Sequence, residues 1–187
     1  MNQEPNPILT WNDRGGKLET THRGRFVVLE EGERVVSLGA VDEPTFPRSN
    51  WKMLQLLPLF SSPEFESLGL EPRERAILVA SHGGDERHVE AVAGVLHKAG
   101  LSLDDLGCGI HPPLDRKAAD RLVARGEEPS RRHHNCSGKH SGFLLRAKQL
   151  GAPLANYLDP DHPVQVEVRQ CIADILGRDP KTLEPAI

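Results

Sequence analysis

Apolar positions along the 187-residue chain fall into short runs punctuated by glycine and proline, and the runs carry two different periods. Arg25–Glu30 (RFVVLE) and Arg34–Leu38 (RVVSL) are rich in β-branched residues. Joined by Glu31-Gly32-Glu33, they predict a β-hairpin. The residues before them, 1–20, are polar and mixed and predict a loosely ordered lead-in. Pro44 and Pro47 close the region. From Arg48 the pattern turns helical, with Met53, Leu54, Leu56, Leu57 and Phe60, and Pro58 is expected to end or kink that segment. Arg75–Ala80 (RAILVA) is a short continuous apolar run, as in a strand buried on both faces. The turn Ser81-His82-Gly83-Gly84 follows. Asp85 then caps a helix whose stripe is Val89, Val92, Ala93 and Leu96, stopped by Gly100. Asp115 to Arg125 predicts another helix, ended by Gly126. The segment His133–His140 opens a helix carrying Phe143, Leu144, Ala147 and Leu150, ending at Gly151. The last helix runs from Pro163 to Leu176, with Pro in its first turn and Gly177 after its end. Strand–turn–helix patterns of this kind predict an α/β or α+β fold with helices layered on a sheet. The organisation expected is a loosely ordered lead-in over 1–20 and, over 21–187, the N-terminal part of a single domain.

Composition narrows the function classes. The net charge of -4 leaves no basic footprint for nucleic acid. No run approaches the roughly 20 apolar residues that span a bilayer. The opening MNQEPNPILTW lacks the basic and apolar regions of a secretory signal. Three cysteines, Cys108, Cys136 and Cys171, are an odd number at irregular spacing. That argues against a disulfide framework and for reduced thiols in a soluble, cytoplasmic protein. Cys171 falls on a helical apolar stripe with Val164, Val168 and Ile175, as a packed core thiol does.

Three clusters carry candidate chemistry. In Ser49-x-x-Lys52, a helix start after Pro47 would set the lysine one turn beyond the serine, on the same face. A serine needs a base to become a nucleophile, and a lysine made neutral by burial can be that base. Ser81, at the end of the expected strand, would sit where ligand crevices open in layered sheets. The third cluster is His133-His134-Asn135-Cys136-Ser137-Gly138-Lys139-His140. Three readings of it compete: Cys136 as nucleophile with His134 or His140 as base, Cys136 as a zinc ligand with nearby histidines, or a histidine-rich surface turn.

Taken together, Pro47-Arg48-Ser49-x-x-Lys52, Ser81-His82-x-Gly84, Cys108-Gly109, Asn135-Cys136-Ser137-Gly138-Lys139-His140 and His162-Pro163-Val164-Gln165 resemble the L-asparaginase II family of the Rhizobium etli type, from about residue 20 onward. The resemblance implies a fold similar to serine β-lactamases and penicillin-binding proteins, a homodimer, and hydrolysis of L-asparagine to L-aspartate and ammonia. It implies Ser49 as nucleophile, Lys52 as its base and Ser81 as a second active-site serine. Cys136 and Lys139 would be zinc ligands, and Arg48 and His140 would contact substrate. His134 stands where the family usually shows asparagine, which would alter the surroundings of the metal or add a ligand. The family's further cysteine ligand and second lysine are expected in segments following Ile187, so the site is expected to be incomplete within this chain. Two other functions share features with this one: a penicillin-recognising serine hydrolase through S-x-x-K, and a zinc- or thiol-binding module without catalysis.

Overall fold

The computed structural model describes residues 4–184, which belong to two compact units, Met1–Pro47 and Arg48–Ile187. The division between these units falls after Pro47. In class the fold is mixed α and β, as expected, with all described strands in the first unit and the described helices in the second.

The first unit is a pair of antiparallel hairpins. Strands β1 (Ile8–Arg14) and β2 (Lys17–Arg23) pair around Gly15-Gly16, and β3 (Phe26–Glu30) and β4 (Glu33–Leu38) pair around Glu31-Gly32. The second hairpin is the one predicted. The first takes up most of the stretch expected as a loosely ordered lead-in over 1–20, of which residues 1–3 lie outside the described residues. Both turn glycines there have positive φ, +61° and +78°, which suits the tight two-residue turn that closes a hairpin. The strand residues of β1 and β2 are exposed throughout, so the inside–outside alternation that announces a strand is absent.

The second unit is helical: α1 (Lys52–Gln55), α2 (Leu57–Phe60), α3 (Pro72–Val79), α4 (Glu86–Lys98), α5 (Arg116–Arg125), α6 (Ser137–Gln149) and α7 (Pro163–Leu176). Pro58 sits in the first turn of α2, and the break it was expected to cause falls at Leu56. The predicted strand over Arg75–Ala80 is instead the body of α3. A capping box starts that helix: Glu71 accepts from the backbone of Glu74, whose carboxylate accepts from the backbone N–H of Glu71 at 2.7 Å, with Pro72 next. A run of five apolar residues fits a buried strand and a buried helix equally well, and the cap decides between them.

The other predicted ends are present. Asp85 accepts from His88 N at 3.1 Å, Asp115 accepts from Ala118 N at 2.7 Å, and Gly126 and Gly177 end their helices in the left-handed region. The buried face of α4 is Ala91, Val92, Val95 and Leu96, turned slightly from the expected stripe. On α7 it is Val164, Val168, Ile172 and Ala173. Cys171 lies at its edge and Ile175 is exposed, so the thiol flanks the core instead of sharing it. His162 is the α7 cap: Nδ1 accepts from Val164 N and Nε2 donates to Pro153 O at 2.9 Å.

Helix α6 is the centre of the unit and packs against α2, α3, α4 and α7. Leu144 and Leu145 on it meet a core built from Leu56, Leu59, Leu78, Val92, Val95 and Val164. One buried charge sits beside this core. Glu74, 3% exposed, accepts from Lys98 Nζ at 2.6 Å, and the same lysine also donates to Gly69 O. Glu74→Gln should lower stability by roughly 1.5–3 kcal/mol, the range for a hydrogen bond to a charged group. Urea unfolding of wild type and variant measures this, and an unchanged midpoint would mean the pair contributes nothing.

Candidate active site

Lys52, Ser81, Asn135, Cys136 and Lys139 lie at or beside the start of α6. Arg48–Trp51 form a 3-10 turn directly ahead of α1, so Ser49 precedes Lys52 by one turn. Residues three apart eclipse one another in such a turn. Arg48 holds φ at +50°, a left-handed value that costs a non-glycine residue about 1 kcal/mol or more. Arg48 and Ser49 are exposed, whereas Lys52 is 2% exposed.

Lys52 Nζ is surrounded by oxygen. It lies 2.8 Å from Ser81 Oγ, 2.8 Å from Ala80 O and 3.4 Å from Asn135 O. Its hydrogen bonds thus run to Ser81 and to two backbone carbonyls, and none goes to Ser49. Ser81 does not end a strand. It follows the C-terminus of α3 in the loop that leads to α4, and the packing of α3 on α6 brings that loop to Asn135. The backbone N–H of His82 donates to Asn135 O at 3.2 Å and tacks the two segments together.

Cys136 is the cap residue of α6 and Lys139 lies in its first turn. Burial pushes the Lys139 amine below its ordinary value; the Cys136 and Cys108 thiols oppose the shift and the Lys52 charge adds to it. His134 Nδ1 accepts from Cys136 N at 3.1 Å, and its ring lies 4.6 Å from that of His111. His134 therefore bonds the backbone of Cys136, not its sulfur. His140 Nδ1 is 2.6 Å from Tyr157 Oη, and that oxygen accepts from Gly107 N at 2.6 Å. Burial pulls His140 down to about 3, with the Lys139 charge adding to it, so it is neutral at pH 7. Neither histidine bonds the Cys136 sulfur, as a thiol–imidazole pair requires. Cys108 is buried, and loss of water pushes its thiol up to about 11.

For a metal, Cys136 and Lys139 are donors of suitable chemistry, since a desolvated amine can offer a lone pair. Among the described residues no group of three His, Cys, Asp or Glu side chains is arranged to hold an ion. Nor is any described helix long and apolar enough to cross a membrane.

Sequence reasoning passed over His82 and Tyr157, both buried at this site. The S-H-x-G turn offered a faint signal for the first. Nothing local marks the second, whose partners lie 17 and 50 residues away. No curated protein matches the chain. Residues 11–187 match the family described as L-asparaginase II. With that span covered, the chain belongs to the L-asparaginase II family.

Proposed function

We propose that this chain hydrolyses L-asparagine through a Ser–Lys pair of the Rhizobium etli type, with Ser49 as nucleophile and Lys52 as its base. Family membership makes it an L-asparaginase-type amidohydrolase in general terms. The observation that carries the finer reading is the setting of Lys52, buried one turn after Ser49 and 2.8 Å from Ser81. An amine buried beside hydroxyls is a competent proton acceptor when neutral.

In this reading Ser49 Oγ attacks the side-chain carboxamide carbon of asparagine while its proton passes to Lys52. Collapse of the tetrahedral intermediate breaks the C–N bond, and the proton returns to the departing ammonia. Water then hydrolyses the aspartyl ester on Ser49. Ser81, bonded to Lys52, relays the proton. Arg48 and His140 contact the substrate. Zinc is the cofactor the reading implies, with Cys136 and Lys139 contributing two of its ligands and others coming from beyond that pair. Bound there it would act as a Lewis acid. The proposal extends to a homodimer acting in the cytoplasm.

Rapid acid quench during asparagine turnover, followed by peptide mass mapping, tests the nucleophile. The aspartyl adduct should lie on the peptide containing Ser49. An adduct on Cys136 would establish thiol catalysis instead. Covalent labelling by a fluorescent penicillin would favour a penicillin-recognising hydrolase. Bound zinc with no ammonia release would favour a binding module.

A further inference from the structure

Ser81 sits in a loop with no regular secondary structure, residues 80–85, yet its hydroxyl is held within hydrogen-bond distance of Lys52. His82, the next residue, is 3% exposed. Its Nε2 lies 3.0 Å from Ser137 Oγ at the start of α6. The Ser137 hydroxyl has a single proton and donates it to Arg132 O at 3.0 Å. Toward His82 it can only accept, so His82 carries its own proton on Nε2. That leaves Nδ1 bare, and among the described residues it has no partner. The ring stacks on His88 with centroids 5.2 Å apart.

An imidazole buried with one empty nitrogen is a poor contributor to stability, because a leucine would fill the space without the desolvation cost. What a leucine could not supply is the directed bond to Ser137. Together with the His82 N–H to Asn135 O, that bond fixes the residue after Ser81 from both backbone and side chain. Lys52 holds the residue before it through Ala80 O. Ser81 is thus pinned on either side.

We propose that His82 is the positioning residue for Ser81, its Nε2–H bond to Ser137 holding the Ser81 hydroxyl against Lys52. The assignment rests on the Ser–Lys reading given above. His82 touches neither substrate nor the reacting atoms. Its loss lets the loop shift, which weakens proton relay in the transition state and leaves ground-state binding alone.

His82→Leu should therefore lower kcat for asparagine roughly 10- to 100-fold with KM little changed. His82→Gln, whose amide can donate from the place of Nε2, should recover most of the loss. Ser137→Ala removes the same bond from the other side and should match His82→Leu, which also guards against a leucine variant that fails to fold. The decisive comparison is in a Ser81→Ala background, where His82→Leu should lower kcat no further. An equal loss with and without Ser81, or no rescue by glutamine, would overturn the assignment and leave His82 a packing residue. If the wild type itself released no ammonia from asparagine, the Ser–Lys reading would fall. Histidine nitrogen-15 shifts then judge the clamp alone: a proton on Nε2 supports it, and a proton on Nδ1 overturns it.

Discussion

Gly138→Ala should leave the helical unit unable to fold stably. Gly138 is buried in the first turn of α6, and a Cβ there would fall on the Ile77 carbonyl, 2.7 Å from its carbon. The obstacle is backbone of α3, so no side-chain rotation relieves it. Helices α3 and α6 would have to separate, and with them Leu78, Leu144 and Leu145, which are buried where the two pack. Overpacking a core ordinarily costs about 1–3 kcal/mol, and a clash against immobile backbone belongs at or above the upper end. A domain of ordinary stability, about 5–15 kcal/mol, would lose a large part of it. Circular dichroism during heating should show a transition lowered by many degrees or lost. A melting curve like that of the wild type would show that α3 and α6 do not approach as described.

Lys52→Met should all but abolish asparaginase activity while the fold survives. Methionine has nearly the length of lysine and fills its buried site, so the packing term is small. The chemistry is not replaceable. On the proposed Ser–Lys reading Ser49 loses the base that takes its proton, and Ser81 loses its hydrogen-bond partner at 2.8 Å. General-base catalysis contributes typically about 10²- to 10⁴-fold, and a fall in kcat of that order is expected. Ser49→Ala should fall at least as far. Under the proposal nucleophile and base act as a unit, so the double variant should be no slower than the worse single one. Ammonia release measured on all three variants checks this, and multiplicative losses would show the two residues acting in separate steps.

Much of the second unit was legible because its helices carry local signals. Asp85, Asp115, Pro163, Gly126 and Gly177 mark ends by capping chemistry that needs no tertiary partner. The segment before Ser81 was not, since a five-residue apolar run has no distinguishing period. The carboxylates at Glu71 and Glu74 were the overlooked evidence for a helix. Hairpin β1–β2 was hidden differently: its side chains face solvent on both sides, which erases the alternation. Of the candidate residues, Ser49 with Lys52 and Cys136 with Lys139 stand out in the sequence as residue types three apart. The partner of Lys52 does not. An expected neighbour three residues away yields to Ser81, 29 residues on, because helix packing and not chain proximity sets the contact.

The bond from Gly107 to Tyr157 settles a question of chemistry at His140. With its oxygen already accepting from Gly107 N, the phenol has one hydrogen left, and His140 Nδ1 is there to take it. The neutral imidazole must then hold its proton on Nε2. Whatever meets that nitrogen meets a donor and never an acceptor. A carboxylate or carbonyl oxygen fits there and an amide NH₂ does not, so Tyr157, 17 residues along the chain, sets the hydrogen-bonding sense of the free side of the His140 ring.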